Sequence, residues 1–93
     1  MKKIIFTFYR KSVLKAVINR YGYDIALGYR TIASGLDNNV HCVTILRLFK
    51  QLESEGLLTV ERVNNRNVIY HINKKVWQII DEKEKQIINN SKN

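Results

Sequence analysis

The fold is decided by the stretch Thr44 to Asn73, TILRLFKQLESEGLLTVERVNNRNVIYHIN. In its first half, Ile45, Leu48, Phe49 and Leu52 fall at i, i+3, i+4 and i+7, which makes one apolar stripe on a helix and leaves the rest of its surface polar. Glu55-Gly56 ends that helix, because glycine accepts the left-handed conformation in which helices commonly stop. From Leu57 to Val63 the residues turn β-branched and alternating, which predicts a strand. Asn64-Asn65-Arg66-Asn67 is turn chemistry, and Val68 to Ile72 is the return strand of a hairpin.

On the N-terminal side, Val13, Leu14, Val17, Ile18 and Tyr21 repeat at helical spacing, with Lys11, Lys15 and Arg20 on the opposite face and Gly22 as a stop. A helix is predicted from about Phe8 to Tyr21. Residues 3 to 8, β-branched and aromatic, predict either a short strand or a lead-in to that helix. Tyr23 to Leu27 is expected to be an extended connector reaching Gly28. A short helix then runs from about Tyr29 to Leu36 with Ile32, Ala33 and Leu36 buried, and Asp37-Asn38-Asn39 makes a turn. After the hairpin, Asn73 is a suitable N-cap for a last helix from about Lys74 to Asn89.

The order of elements is helix, connector, helix, turn, helix, hairpin, helix, an α+β class that is mainly α. Two closely joined helices followed by a β-hairpin make a winged helix-turn-helix: a three-helix core, a two-stranded β-wing and a C-terminal helix. A single domain over residues 1–93 is expected, with its core at about 9–73 and its last helix at about 74–89.

At Ile32-Ala33-x-x-Leu36, at Thr44-Ile45, and at Leu52-Glu53-Ser54-Glu55-Gly56-Leu57-Leu58, the chain resembles winged helix-turn-helix transcription regulators. Tyr70-His71-Ile72-Asn73-Lys74-Lys75 looks like the end of the wing leading into the last helix in the MarR and PadR groups. The similarity covers roughly residues 13 to 80 and is specific to fold more than to function. Asp37 stands where such motifs often carry glycine, and the turn looks about two residues longer. The small size resembles the compact winged-helix proteins encoded by viruses and plasmids. The resemblance implies a DNA-binding transcription regulator.

Charge points the same way. The chain has 16 Lys+Arg against 8 Asp+Glu, a net charge of +8, and 45% hydrophobic residues. That is a folding composition biased toward polyanionic partners. No apolar run is long enough to span a membrane. The apolar segment Ile4 to Phe8 is short, is followed by Arg10 and Lys11, and lacks a small-residue cleavage site, so it is expected to be structure rather than a leader. The lone Cys42 precludes an internal disulfide and fits a reducing, cytoplasmic setting. Abundant Ile, Asn and Lys without any Pro fit an AT-rich genome.

With the Ile45 stripe facing inward, the opposite face of the third helix presents Val43, Arg47 and Lys50, flanked by Leu46, Gln51 and Ser54, with His41 and Thr44 near its start. The N-terminal part of such a helix enters the major groove. Arg47 is the expected base reader, since a guanidinium can pair bidentately with guanine. Val43 could meet a thymine methyl, Asn39 and Thr44 bases or phosphates, and Lys50 a phosphate. Arg62, Asn65 and Arg66 are placed to enter a minor groove or grip phosphates from the wing. Tyr29, Arg30 and Thr31 form a possible phosphate clamp at the start of the second helix. The plainer alternative is that these polar faces are merely solvated; exposed Val43 and Leu46 weigh against it.

His41-Cys42 suggests a metal sensor, but one Cys and two His residues are too few for a closed site. His71 has no carboxylate close to it along the strand. No catalytic motif is present, so neither an enzyme nor any cofactor, metal or small-molecule ligand is expected. Val76, Trp77, Ile79 and Ile80 on the last helix are expected to pack on the core, while Ile87 and Ile88, two turns further on, suggest a homodimer interface in which Trp77 and Ile80 would also take part. A sequence-specific binder of double-stranded DNA, most simply a repressor, is therefore the leading expectation. A winged helix that contacts protein, for instance in a replication complex, is the alternative.

Overall fold

A computed structural model describes residues 6–36 and 40–91, with side chains described through residue 85. Helix α1, Phe8–Tyr21, starts where Thr7 accepts a hydrogen bond from the Arg10 amide at 3.1 Å, and stops at Gly22. It buries Val13, Leu14 and Val17. Of the lead-in, Phe6 is buried and Thr7 is the cap, while residues 1–5 lie outside the described residues.

The expected connector contains a two-residue strand, β1, Asp24–Ile25. It pairs with the second strand of the hairpin, so the sheet has three strands and not the two expected of the wing alone. Two residues carry no strand periodicity, and only the tertiary partner makes them a strand.

Helix α2, Tyr29–Ser34, buries Ile32 and Ala33 and ends two residues earlier than its apolar pattern suggests, although Leu36 is still buried. Its end is tied to α1: the Tyr21 hydroxyl lies 3.2 Å from the Thr31 carbonyl and 3.1 Å from that of Ile32. A Cβ on Gly35 would lie only 1.8 Å from that hydroxyl, so any larger residue there would displace the Tyr21 side chain from these hydrogen bonds. The Asp37-Asn38-Asn39 turn lies outside the described residues.

Helix α3, Cys42–Ser54, buries Ile45, Leu48, Phe49 and Leu52, the expected stripe. It ends in a Schellman motif: the Leu57 amide donates to the Leu52 carbonyl at 2.8 Å and the Gly56 amide to Glu53 at 3.0 Å, with Gly56 at φ +75°. Strand β2, Leu58–Arg62, follows at once and pairs antiparallel with β3, Val68–Ile72. The sheet order is β1-β3-β2. Leu58 faces Ile72, Val60 faces Tyr70, and Arg62 faces Val68. With a side-chain period of two, Leu58, Val60 and Arg62 share the core-side face, while Thr59 and Glu61 point away from it.

Helix α4 is Val76–Ser91, starting two residues later than expected. Asn73 instead caps a turn, accepting from the Lys75 amide at 2.8 Å, and the Val76 amide returns to the Asn73 carbonyl at 3.0 Å. Val76 and Ile80 are buried, and α4 is held to α1 by Lys11–Glu84 and to the end of α3 by Lys83–Glu55, both at 2.6 Å. Among the described residues the chain is thus a small α+β domain, mainly helical, with four helices and one three-stranded antiparallel sheet around a continuous apolar core. No helix among them is long and apolar enough to cross a membrane.

Candidate nucleic-acid interface

The surface of α3 follows from which side its stripe buries. Val43, Arg47, Lys50 and Ser54 are exposed, with Val43 showing 39% of its surface, a high value for an aliphatic side chain. Thr44 and Leu46 are half-buried, so both contribute less to this face than their sequence positions suggest. His41 has a definite local role: it is the N-cap of α3, with Nδ1 accepting from the Val43 amide at 3.1 Å. That cap fixes the ring beside the first exposed turn of the helix. Cys42 is half-buried and packs against the core, 3.9 Å from the His41 ring. Among the described residues, no group of three or more His, Cys, Asp or Glu side chains could hold a metal ion.

Two neighbours flank the exposed face of α3. On one side Arg10 of α1 hydrogen-bonds the Gln51 side chain. On the other an open groove of about 630 Å³ separates α3 from the hairpin, lined by Tyr29, Glu53, Val60, Arg62, Val68 and Tyr70. Arg62 lies beyond the last core residue of β2, on the face of the hairpin that looks toward α3. At the hairpin tip, the Asn64 side chain accepts from the amides of Arg66 and Asn67, both at 2.9 Å, and the Val63 amide donates to the Asn67 carbonyl at 3.0 Å. Asn64 is therefore spent on the turn. Asn65 and Arg66 remain exposed beside Val63, itself 55% exposed.

Tyr29, at the start of α2, is half-buried. Its ring stacks on Tyr70 with centroids 5.5 Å apart and meets Phe49 edge-on at 5.9 Å, while Phe49 and Tyr70 meet at 5.0 Å. Burial pushes its hydroxyl well above the ordinary tyrosine range, helped by hydrogen bonding with the Tyr70 side chain and the nearby Glu53 carboxylate. Tyr29 thus joins the core to the floor of the groove, leaving Arg30 and Thr31 as the exposed side chains at the start of α2.

Asp24 and Glu61 hold His71, Glu55 holds Lys83, and Glu84 holds Lys11. Among the described residues, none of Arg30, Arg47, Lys50, Arg62 and Arg66 has a carboxylate within 4.0 Å. Glu53 is the acidic side chain that lines the groove itself.

The dimer residues need correction. Ile80 is 1% exposed within its own chain, buried in the core, and has no surface to offer a partner. Trp77 is half-buried against the same core and lines an open groove of about 430 Å³ with Lys15, Ile18, Asn19 and Tyr23. Asn39 lies outside the described residues, as do the side chains of Ile87 and Ile88. The most exposed large apolar side chains are instead Phe8, 86%, and Tyr9 and Val63, each 55%.

Two contributions escaped the sequence reading. Arg10 is brought to α3 by the packing of α1, and no local pattern announces it. His71 lies between carboxylates from two other strands, Asp24 Oδ1 at Nδ1 and Glu61 Oε1 at Nε2, both at 2.7 Å. Its partners stand 47 and 10 residues away in the chain. No family model, curated protein or solved structure matches the chain.

Proposed function

We propose that the protein is a winged helix-turn-helix regulator that binds double-stranded DNA sequence-specifically in the cytoplasm, most simply as a repressor, with α3 in the major groove and the β2–β3 hairpin as its wing. One observation carries this reading. Among the described residues, Arg47, Lys50, Arg62 and Arg66 on α3 and the hairpin have no acidic partner, while Asp24, Glu55, Glu61 and Glu84 are paired on the sheet's outer face or along α4. A folded protein gains little by holding cations unpaired on two adjoining elements, whereas a row of phosphates would neutralise them and release counterions.

The roles divide by rigidity. Arg47 projects from a helix anchored by four buried side chains and is the base reader; Val43 offers a methyl-sized apolar contact. Lys50, Arg30 and Thr31 contact phosphates, and Arg62, Asn65 and Arg66 bind through the wing. The test is selection of binding sites from a random duplex library, followed by titration at several salt concentrations. A recovered consensus and a log–log salt slope of about −0.9 per phosphate neutralised support the reading. Absence of any duplex complex at low salt overturns it and favours the protein-contact alternative, which draws on exposed Val43, Phe8 and Tyr9.

A homodimer would place two α3 helices on a palindromic site. With Ile80 committed to the core, Phe8 and Tyr9 are the described apolar residues that gain most from such an interface.

A further inference from the structure

We propose that His71 is the positioning residue of the wing: its ring, clamped between Asp24 and Glu61, ties the hairpin to β1 and does so only as an imidazolium. The register explains how one side chain reaches both partners. Asp24 lies directly opposite His71 on β1, while Glu61 lies opposite Ile69 on β2 and reaches His71 diagonally across the same outer face. Thr59, directly opposite on β2, is uncharged.

A neutral imidazole has one N–H and one lone pair. It can satisfy one carboxylate and must turn its lone pair toward the other. Contacts of 2.7 Å at both nitrogens therefore require both N–H groups. The Asp24 hydrogen bond, then that of Glu61, holds the protonated form and raises the His71 pKa above its ordinary 6.5. No charged group other than these two contributes to that shift.

The clamp spans a weak joint. β1 has two residues, yet it links α1 to α2, and α2 packs on α3. Backbone pairing here consists of the short Asp24–His71 and Ile25–Tyr70 ladder and the Ile72 amide donating to the Tyr23 carbonyl at 2.7 Å. His71 joins β2, β3 and β1 at the root of the hairpin and so fixes the angle at which the wing stands to α3. Because the folded pKa is raised, the stabilisation is complete below 6.5 and disappears as pH rises through the raised value. Its effect on DNA rests on the function proposed above; the clamp itself does not.

The experiment is a pH titration of the His71 ring protons by NMR in the free, full-length chain, with amide exchange of β2 and β3 corrected for the intrinsic pH dependence of exchange. The expected midpoint lies above 6.5 and falls with added salt, since all three side chains are solvent-accessible. Asp24→Asn and Glu61→Gln should each lower it. Protection of the wing amides should fall through the same midpoint in the parent protein and show no such step in His71→Gln. Duplex affinity should fall across the same pH range in the parent and not in His71→Gln. A midpoint at or below 6.5, or one that neither Asp24→Asn nor Glu61→Gln moves, overturns the clamp. A raised midpoint with no step in wing protection overturns the positioning role. The expected titration and protection without any duplex binding would instead sink the DNA-binding reading and leave the clamp standing.

Discussion

Helix α3 and the β2–β3 hairpin carry the same kind of charge on very different supports. On α3, Arg47 and Lys50 sit opposite four side chains, Ile45, Leu48, Phe49 and Leu52, none more than 1% exposed. On the hairpin, core contact thins to the half-buried Val60 and Val68; Arg62, opposite Val68, is already exposed, and Arg66 lies beyond on a segment held by strand pairing and the Asn64 turn. The difference teaches how one small domain can separate two tasks. Reading a base edge needs a guanidinium held to a fraction of an ångström, which a packed helix supplies. Gripping a phosphate tolerates more freedom, which a hairpin tip retains.

The largest effect should come from breaking the support on which α3 depends. Phe49 is 1% exposed and touches both Tyr29 and Tyr70, so it couples the helix to the floor of the groove and to the sheet. Phe49→Ala should cost about 3–5 kcal/mol, a large share of what a domain this size possesses. Urea unfolding would show it as a lower midpoint with an unchanged slope. A loss below about 1 kcal/mol would mean that the three rings are not one cluster.

Arg47→Ala tests the helix as a base reader without touching the core. It should cost about 1–3 kcal/mol of discrimination at one or two positions of a selected site, while affinity for random duplex falls much less. Equal loss on all sequences would move Arg47 from base reading to phosphate binding and erase the contrast with the hairpin. The junction between the two regions is Gly56, at φ +75°, where the helix hands over directly to β2. Gly56→Ala should destabilise by about 1 kcal/mol because a side chain strains the left-handed conformation. Thermal unfolding would register it as a lower Tm; an unchanged Tm would mean that the backbone can relax there.

Legibility followed the same division. The α3 stripe, Gly56 and the hairpin are local patterns whose period or turn chemistry is fixed by neighbouring residues, and the structure places them as the sequence predicts. What stayed hidden depends on partners far along the chain. β1 is a strand only because β3 lies beside it; Tyr29 is a core aromatic only because Phe49 and Tyr70 surround it. Ile80 shows the same limit in part: its helical spacing fits core and interface alike, and the packing of α4 sends it inward. For the candidate site, the exposed positions of Val43, Arg47 and Lys50 were readable from periodicity, whereas Arg10 beside Gln51 and the carboxylates around His71 were not.

The smallest effect should come from the hairpin tip. Arg66 donates its amide to Asn64 but its side chain is exposed and holds no acidic partner among the described residues, so removing the guanidinium leaves the turn intact. Arg66→Ala should leave Tm unchanged within about 0.5 kcal/mol of stability. It should weaken every duplex to a similar degree and reduce the steepness of the salt dependence by about one phosphate contact. Comparing log affinity against log salt for the parent and the variant, on the selected site and on random sequence, measures both quantities at once. Two parallel lines would show that Arg66 neutralises no phosphate. A loss confined to the selected site would show that the tip reads sequence in the minor groove, and the division of labour between α3 and the hairpin would then be one of groove rather than of rigidity.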